Sequence, residues 1–138
     1  MITVSSAADD KLLKAIVGSL WIRIHLFIND RRPSYWDTVH DYVELDGHGY
    51  MPVTLTPQDW RLARDKKERL YTEARAAAWE FGPGNPQRVY GYFVTDQSSG
   101  DLLWAERLVT REPIVLQNQG ERLRVICRIN SPLRPRKG

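Results

Sequence analysis

A chain of 138 residues, 42% of them apolar, can bury one core and has little left for a second domain. Its single cysteine, Cys127, excludes an internal disulfide and a four-thiolate zinc site, and no stretch approaches the roughly 20 apolar residues that span a bilayer. The net charge of +3 is uneven: residues 1–120 carry 14 basic and 16 acidic groups, residues 121–138 six basic and one acidic.

Residues 1–8 lead into Asp9-Asp10 without the basic stretch and apolar run of a secretory signal, so production in the cytoplasm is expected. After Ser6, the residues Leu12, Leu13, Ile16, Val17 and Leu20 recur at helical spacing with acids in the first turn, which predicts an N-terminal arm and helix over 1–20. The period then becomes two. From Trp21 to Ile28 the pattern predicts a strand with Ile22, Ile24, Leu26 and Ile28 on one face, and Trp21, Arg23, His25 and Phe27 on the other. Asn29 to Ser34 is turn chemistry and opens a loop to about Val39. Short extended pieces follow at Tyr42–Leu45 and Tyr50–Leu55, around Asp46-Gly47-His48-Gly49.

Residues 57–81 admit two readings. Trp60, Ala63, Lys67, Leu70, Ala74, Ala77 and Phe81 recur at three- and four-residue intervals after Thr56-Pro57, as in one long helix. The alternative is two strands, Trp60–Arg64 and Tyr71–Phe81, about the charged turn Asp65-Lys66-Lys67-Glu68. Gly82 to Pro86 ends the element either way. Beyond it, Arg88–Thr95 and Leu102–Leu108 flank a hairpin loop at Asp96–Asp101, and Pro113–Gln117 with Glu121–Ile129 predict a second hairpin. Strands of this kind bury one face against another layer. The expected fold is therefore mainly β: a single antiparallel β-sandwich or jelly-roll-like domain over residues 21–130, with the N-terminal helix before it and a basic extended tail at 131–138.

Chemistry is sparse. His25, His40 and His48 accompany no nucleophile motif, and Cys127 alternates with Leu123, Val125 and Ile129 on an inward strand face, where a thiol acts as a small hydrophobe. Asp37, His40, Asp41, Glu44, Asp46 and His48 are the densest run of possible metal ligands, but their spacing fits neither a zinc helix nor a calcium loop. We expect no catalytic residue, metal or cofactor. Arg122, Arg124 and Arg128 share a strand face near Arg134, Arg136 and Lys137, making these six the candidate partner-binding residues. Such a stripe could neutralise phosphates, although no stacking aromatic is interleaved with it. Five tryptophans and six tyrosines supply large area for a core or an interface.

The stretch Val89-Tyr90-Gly91-Tyr92-Phe93-Val94-Thr95-Asp96, with Gly100–Arg107 and Asn118-Gln119-Gly120-Glu121, resembles small structural proteins of tailed-phage particles. The similarity extends loosely upstream through Leu12-Leu13, Ile24–Asp30, Gly49-Tyr50, Leu55 and Trp60, and so covers most of residues 10–130. The resemblance implies a β fold, a place on a virion assembled after synthesis in the host cytoplasm, and no catalytic residues. It also implies strands over residues 60–81, which are Thr-rich and extended in those proteins but rich in Arg, Lys, Glu and Ala here. The expected role is a capsid decoration or cement protein. It would bind the major capsid protein or other virion proteins as a homo-oligomer such as a trimer, without nucleic acid or membrane. A tail or head–tail adaptor component, and a nucleic-acid-binding module built on the basic C-terminal region, are the alternatives.

Overall fold

The computed structural model describes residues 21–108, 113–116 and 119–130, together with Ala15, Gly18 and Ser19. The helix expected over 1–20 and the tail from Ser131 onward lie outside the described residues. In chain order the strands are β1 (Ile22–Phe27), β2 (Val53–Leu55), β3 (Trp60–Arg64), β4 (Leu70–Ala74), β5 (Ala77–Glu80), β6 (Gln87–Val89), β7 (Gly91–Asp96), β8 (Leu102–Arg107), β9 (Ile114–Leu116), β10 (Arg122–Val125) and β11 (Arg128–Asn130). The protein is mainly β, as expected, and every strand pair with a defined register is antiparallel. Two compact units emerge, one of residues 21–54 and 77–124, the other containing residues 55–76 and 125–130.

In the first unit a sheet runs in the order β2-β1-β7-β8. The expected hairpin β7–β8 is present: Asp96 accepts from the backbone and hydroxyl of Ser98 at 2.8 and 2.6 Å, and Gly100 takes the left-handed conformation (φ 79°) that closes the loop. Gly91 is fixed by crowding. A side-chain carbon there would lie 2.2 Å from the Glu106 carbonyl oxygen and 2.7 Å from the Phe27 ring. The strand foreseen over Arg88–Thr95 divides at Tyr90, whose N–H donates to Phe27 O at 2.9 Å.

Strand β1 lies where its alternation places it, but its second face is also covered, at His25 and Phe27. Ile22, Ile24 and Leu26 are buried, and so are His25 and Phe27. The segment Tyr42–Leu45 causes this, because Ile28 N–H donates to Val43 O and Leu45 N–H to Leu26 O, laying Tyr42 against Phe27. The second hairpin is corrected. β9 pairs with β6 and β10 with β5, because the turn at Gly120 is claimed by Phe81: Gly120 N–H donates to Phe81 O, and Phe81 N–H to Glu121 O, each at 2.8 Å.

Residues 57–81 fold as strands, β3 and β4 in the second unit's sheet, ordered β11-β4-β3, and β5 in the first unit beside β10. Helical spacing here conceals period two, since Leu70, Thr72 and Ala74 are buried on one face of β4, and Ala77 and Trp79 on one face of β5. The expected turn is built by Asp65, whose carboxylate accepts from the N–H groups of Lys67 (2.8 Å) and Arg69 (2.9 Å) while Glu68 adopts φ 61°. Thr56-Pro57 starts only a single tight turn, Pro57–Asp59. The strand foreseen over Glu121–Ile129 breaks at Ile126-Cys127, and Cys127 O there accepts from Ala74 N–H.

Candidate docking surface

In the first unit a stack of rings rises from the sheet. The His25 imidazole lies flat on Phe93 (4.6 Å between centroids), Phe93 on Tyr42 (5.3 Å), and Phe27 meets Tyr42 edge-on (5.0 Å). Pairing places His25 opposite Phe93 and Arg23 opposite Thr95 on one face of β1 and β7. The stack anchors two polar constructions.

The first is a half-buried bridge. His25 Nδ1 lies 2.8 Å from the Glu44 carboxylate, to which it donates, and Nε2 lies 2.9 Å from the Thr95 hydroxyl. The Tyr50 hydroxyl donates to the same Glu44 oxygen at 2.6 Å and accepts from Leu26 N–H at 3.0 Å. Burial pushes the Glu44 carboxyl up, but the hydrogen bonds from His25 and Tyr50 outweigh it and hold the group below the usual carboxylate range. Burial, followed by the hydrogen bond to Glu44, pushes the Tyr50 phenol up. A cleft of about 340 Å³, lined by Arg23, His25, Tyr42, Glu44, Phe93 and Thr95, opens over the bridge. The order hydroxyl, imidazole, carboxylate is one that carries a proton. Here Thr95, 7% exposed within the sheet, fastens the Glu44 segment across β1 and β7.

The second construction is a loop. Asp37, with a side chain only 2% exposed, accepts from the Arg31 guanidinium, from the Tyr42 hydroxyl at 2.6 Å and from Ser34 N–H at 3.0 Å. Arg31 first, and then Tyr42, holds its carboxyl well below the usual carboxylate range. Burial, followed by Asp37, pushes the Tyr42 phenol up. Asn29 ties the far side, donating to Asp41 O and accepting from Val43 N–H, each at 2.9 Å, while Arg107 pairs with Asp30. Asp41 and Thr38 cap the short turn at Val39–Asp41 reciprocally. On this clamped loop stand Tyr35 and Trp36, 89% and 84% exposed, their rings edge to face at 4.9 Å. Apolar rings of this size are costly to leave in water, and a rigid aromatic loses little entropy when a partner covers it.

The supposed metal ligands are dispersed. Asp37, Asp41 and Glu44 hold the loop and the bridge, while His48 is buried against Gly82–Asn85, with Nε2 donating to Asn85 O at 2.6 Å. Among the described residues no three such groups could hold a metal. The three arginines expected on one strand face stand on two strands. Arg122 and Arg124 are exposed on β10, with Arg122 3.8 Å from Glu80, whereas Arg128 is on β11 in the other unit. Arg128 has an aromatic partner that sequence spacing hid, the Tyr71 ring 3.6 Å beneath its guanidinium. Arg134, Arg136 and Lys137 lie outside the described residues.

Sequence reasoning assigned the tryptophans jointly to core or interface. The structure separates them, burying Trp60 and Trp79 and exposing Trp36 and, by half, Trp21. The available signal was position, since Trp36 belongs to no apolar period and sits among turn residues. No family model, curated protein or solved structure matches this chain.

Proposed function

We propose that the chain is a structural protein of a tailed-phage particle, a decoration or cement protein that binds the major capsid protein of the head shell after synthesis in the host cytoplasm. In this reading its antiparallel sheets form a β-sandwich or jelly-roll-like domain, and its chemistry is association rather than turnover. One observation carries it: the Tyr35–Trp36 pair is held out to solvent by a loop that Arg31, Asp37 and Tyr42 clamp from beneath. Evenly spread contacts of modest size, repeated over a shell, would stabilise the particle. The test is sedimentation of the purified chain with expanded empty capsids, followed by heating of the decorated shells. Binding with a raised disruption temperature is expected; failure to associate with any particle component overturns the reading.

A further inference from the structure

The two units are oppositely charged. Described residues of the first carry seven basic and ten acidic side chains, −3, while residues 55–76 and 125–130 carry seven basic and four acidic, +3. The exposed aromatic pair stands on the acidic unit, in a stretch (29–44) with four acids and two bases. The basic unit carries a cleft of about 470 Å³, lined by Trp60, Tyr71, Ala63 and the charged groups Arg61, Arg75, Asp59 and Glu73, with Arg75 paired to Asp59 at 2.8 Å. That volume lies within the range of sites that receive a ligand of aromatic size. Arg61 is exposed on edge strand β3, opposite Glu73, and a planar guanidinium is a natural cover for an indole face. The Trp60 Nε1–H, on the wall of the same cleft, is buried with no acceptor among the described residues.

From the opposite charges of the two units and the aromatic-sized cleft on the basic one we infer that copies of the chain associate head to tail, the Tyr35–Trp36 pair of one copy seating in the β3–β4 cleft of the next. The inference deepens the assembly reading, on which it rests, by naming the partner of the aromatic pair as a second copy. A contact between two different surfaces is heterologous, so it grows into a closed ring or a filament and does not stop at a dimer. Two rings bury on the order of 300–500 Å² on their own side, short of the roughly 800 Å² of a standard partner surface. Each contact is therefore weak and salt-sensitive, and ring closure adds the rest by raising the effective concentration.

Complementation between two surface variants tests this. Trp36→Ala removes the inserted ring and keeps the cleft; Arg61→Glu turns the charge-balanced cleft acidic and keeps the ring. In sedimentation velocity the full chain is expected to form assemblies that shrink with salt, each variant alone to be monomeric, and their equimolar mixture to form a dimer that grows no further. Circular dichroism of both variants checks that they fold. A full chain that stays monomeric at concentrations on the order of 1 mM, at which even a very weak contact is populated, overturns the inference, and so does a variant mixture that fails to dimerise. Tight, salt-sensitive binding of a single-stranded oligonucleotide that Arg61→Glu abolishes, without self-association, would also overturn it by giving the cleft another occupant. A monomer that still sediments with capsids fails this inference alone, and an assembly that binds no particle fails the assembly reading alone.

Discussion

The two units use their polar residues in opposite ways. In the first, charge is drawn inward: His25, Glu44, Thr95 and Tyr50 form one bridge, and the Asp37 carboxylate is enclosed beneath its loop. In the second, the charged row of the three-stranded sheet stays on the surface while two half-buried carboxylates turn to the backbone. Arg61, Glu73 and Arg128 line up across β3, β4 and β11, and Asp59 and Asp65 bind neighbouring backbone. Polar groups that are buried and satisfied specify geometry and are costly to disrupt, whereas solvated ones contribute little each. The inward unit thus presents a fixed aromatic surface, and the outward unit presents a field.

Substitutions at four positions sharpen or break that contrast. The largest effect should come from Gly91→Ala. The added carbon meets the Glu106 carbonyl oxygen and the Phe27 ring, so β7 must separate from β8 or Phe27 must leave the core. A loss of at least about 3 kcal/mol in urea unfolding is expected; a loss below about 1 kcal/mol would show the contact to be compliant.

His25→Ala should follow at about 2–3 kcal/mol, since it strands Glu44 and Thr95 and removes a ring from the stack. His25→Phe restores the ring without the hydrogen bonds. Wild-type stability in that variant would mean that stacking, not the bridge, holds the inward unit together.

Much of this organisation was legible in the sequence, and the illegible part has a common cause. The strand from Ile22, the turn at Asp65–Glu68 and the loop at Asp96–Asp101 are local, written in alternation and turn chemistry. Partner choice is not local. His25 reads as half of a solvent-facing alternation until Tyr42–Leu45 covers it, and its partners Glu44 and Thr95 lie 19 and 70 residues away. The same holds for β6 with β9 and β5 with β10, which displaced the expected hairpin. A lone arginine at 128 gives no sign that Tyr71 will lie under it.

The loop tests the contrast through pH. Asp37 and Glu44 have folded-state pKa values below their ordinary ones, so the unfolded chain binds more protons in acid. Their stabilisation is complete above about pH 5 and is lost as the pH falls through about 4 and below. Melting temperatures should fall along that limb, and Asp37→Asn should both lower the plateau and flatten the limb. Melts that do not change between about pH 6 and about pH 3 would show that neither carboxylate is paired in solution.

Arg128→Ala carries the smallest expected effect and tests the outward unit most directly. The guanidinium lies 3.6 Å from the Tyr71 ring centroid, and its Nε donates to Asn130 at 3.3 Å, all on a face open to water. Exposed cation–π contacts are worth about 0.5–1 kcal/mol, and a solvated hydrogen bond adds little to that. Arg128→Lys keeps the charge and loses the planar overlap, so it should recover only part of the difference. If Arg128→Ala instead costs as much as His25→Ala, the sheet β11-β4-β3 depends on its surface row as the other unit depends on its half-buried bridge. The opposition between an inward and an outward unit would then give way to a single design in which arginine stacking closes the outer layer.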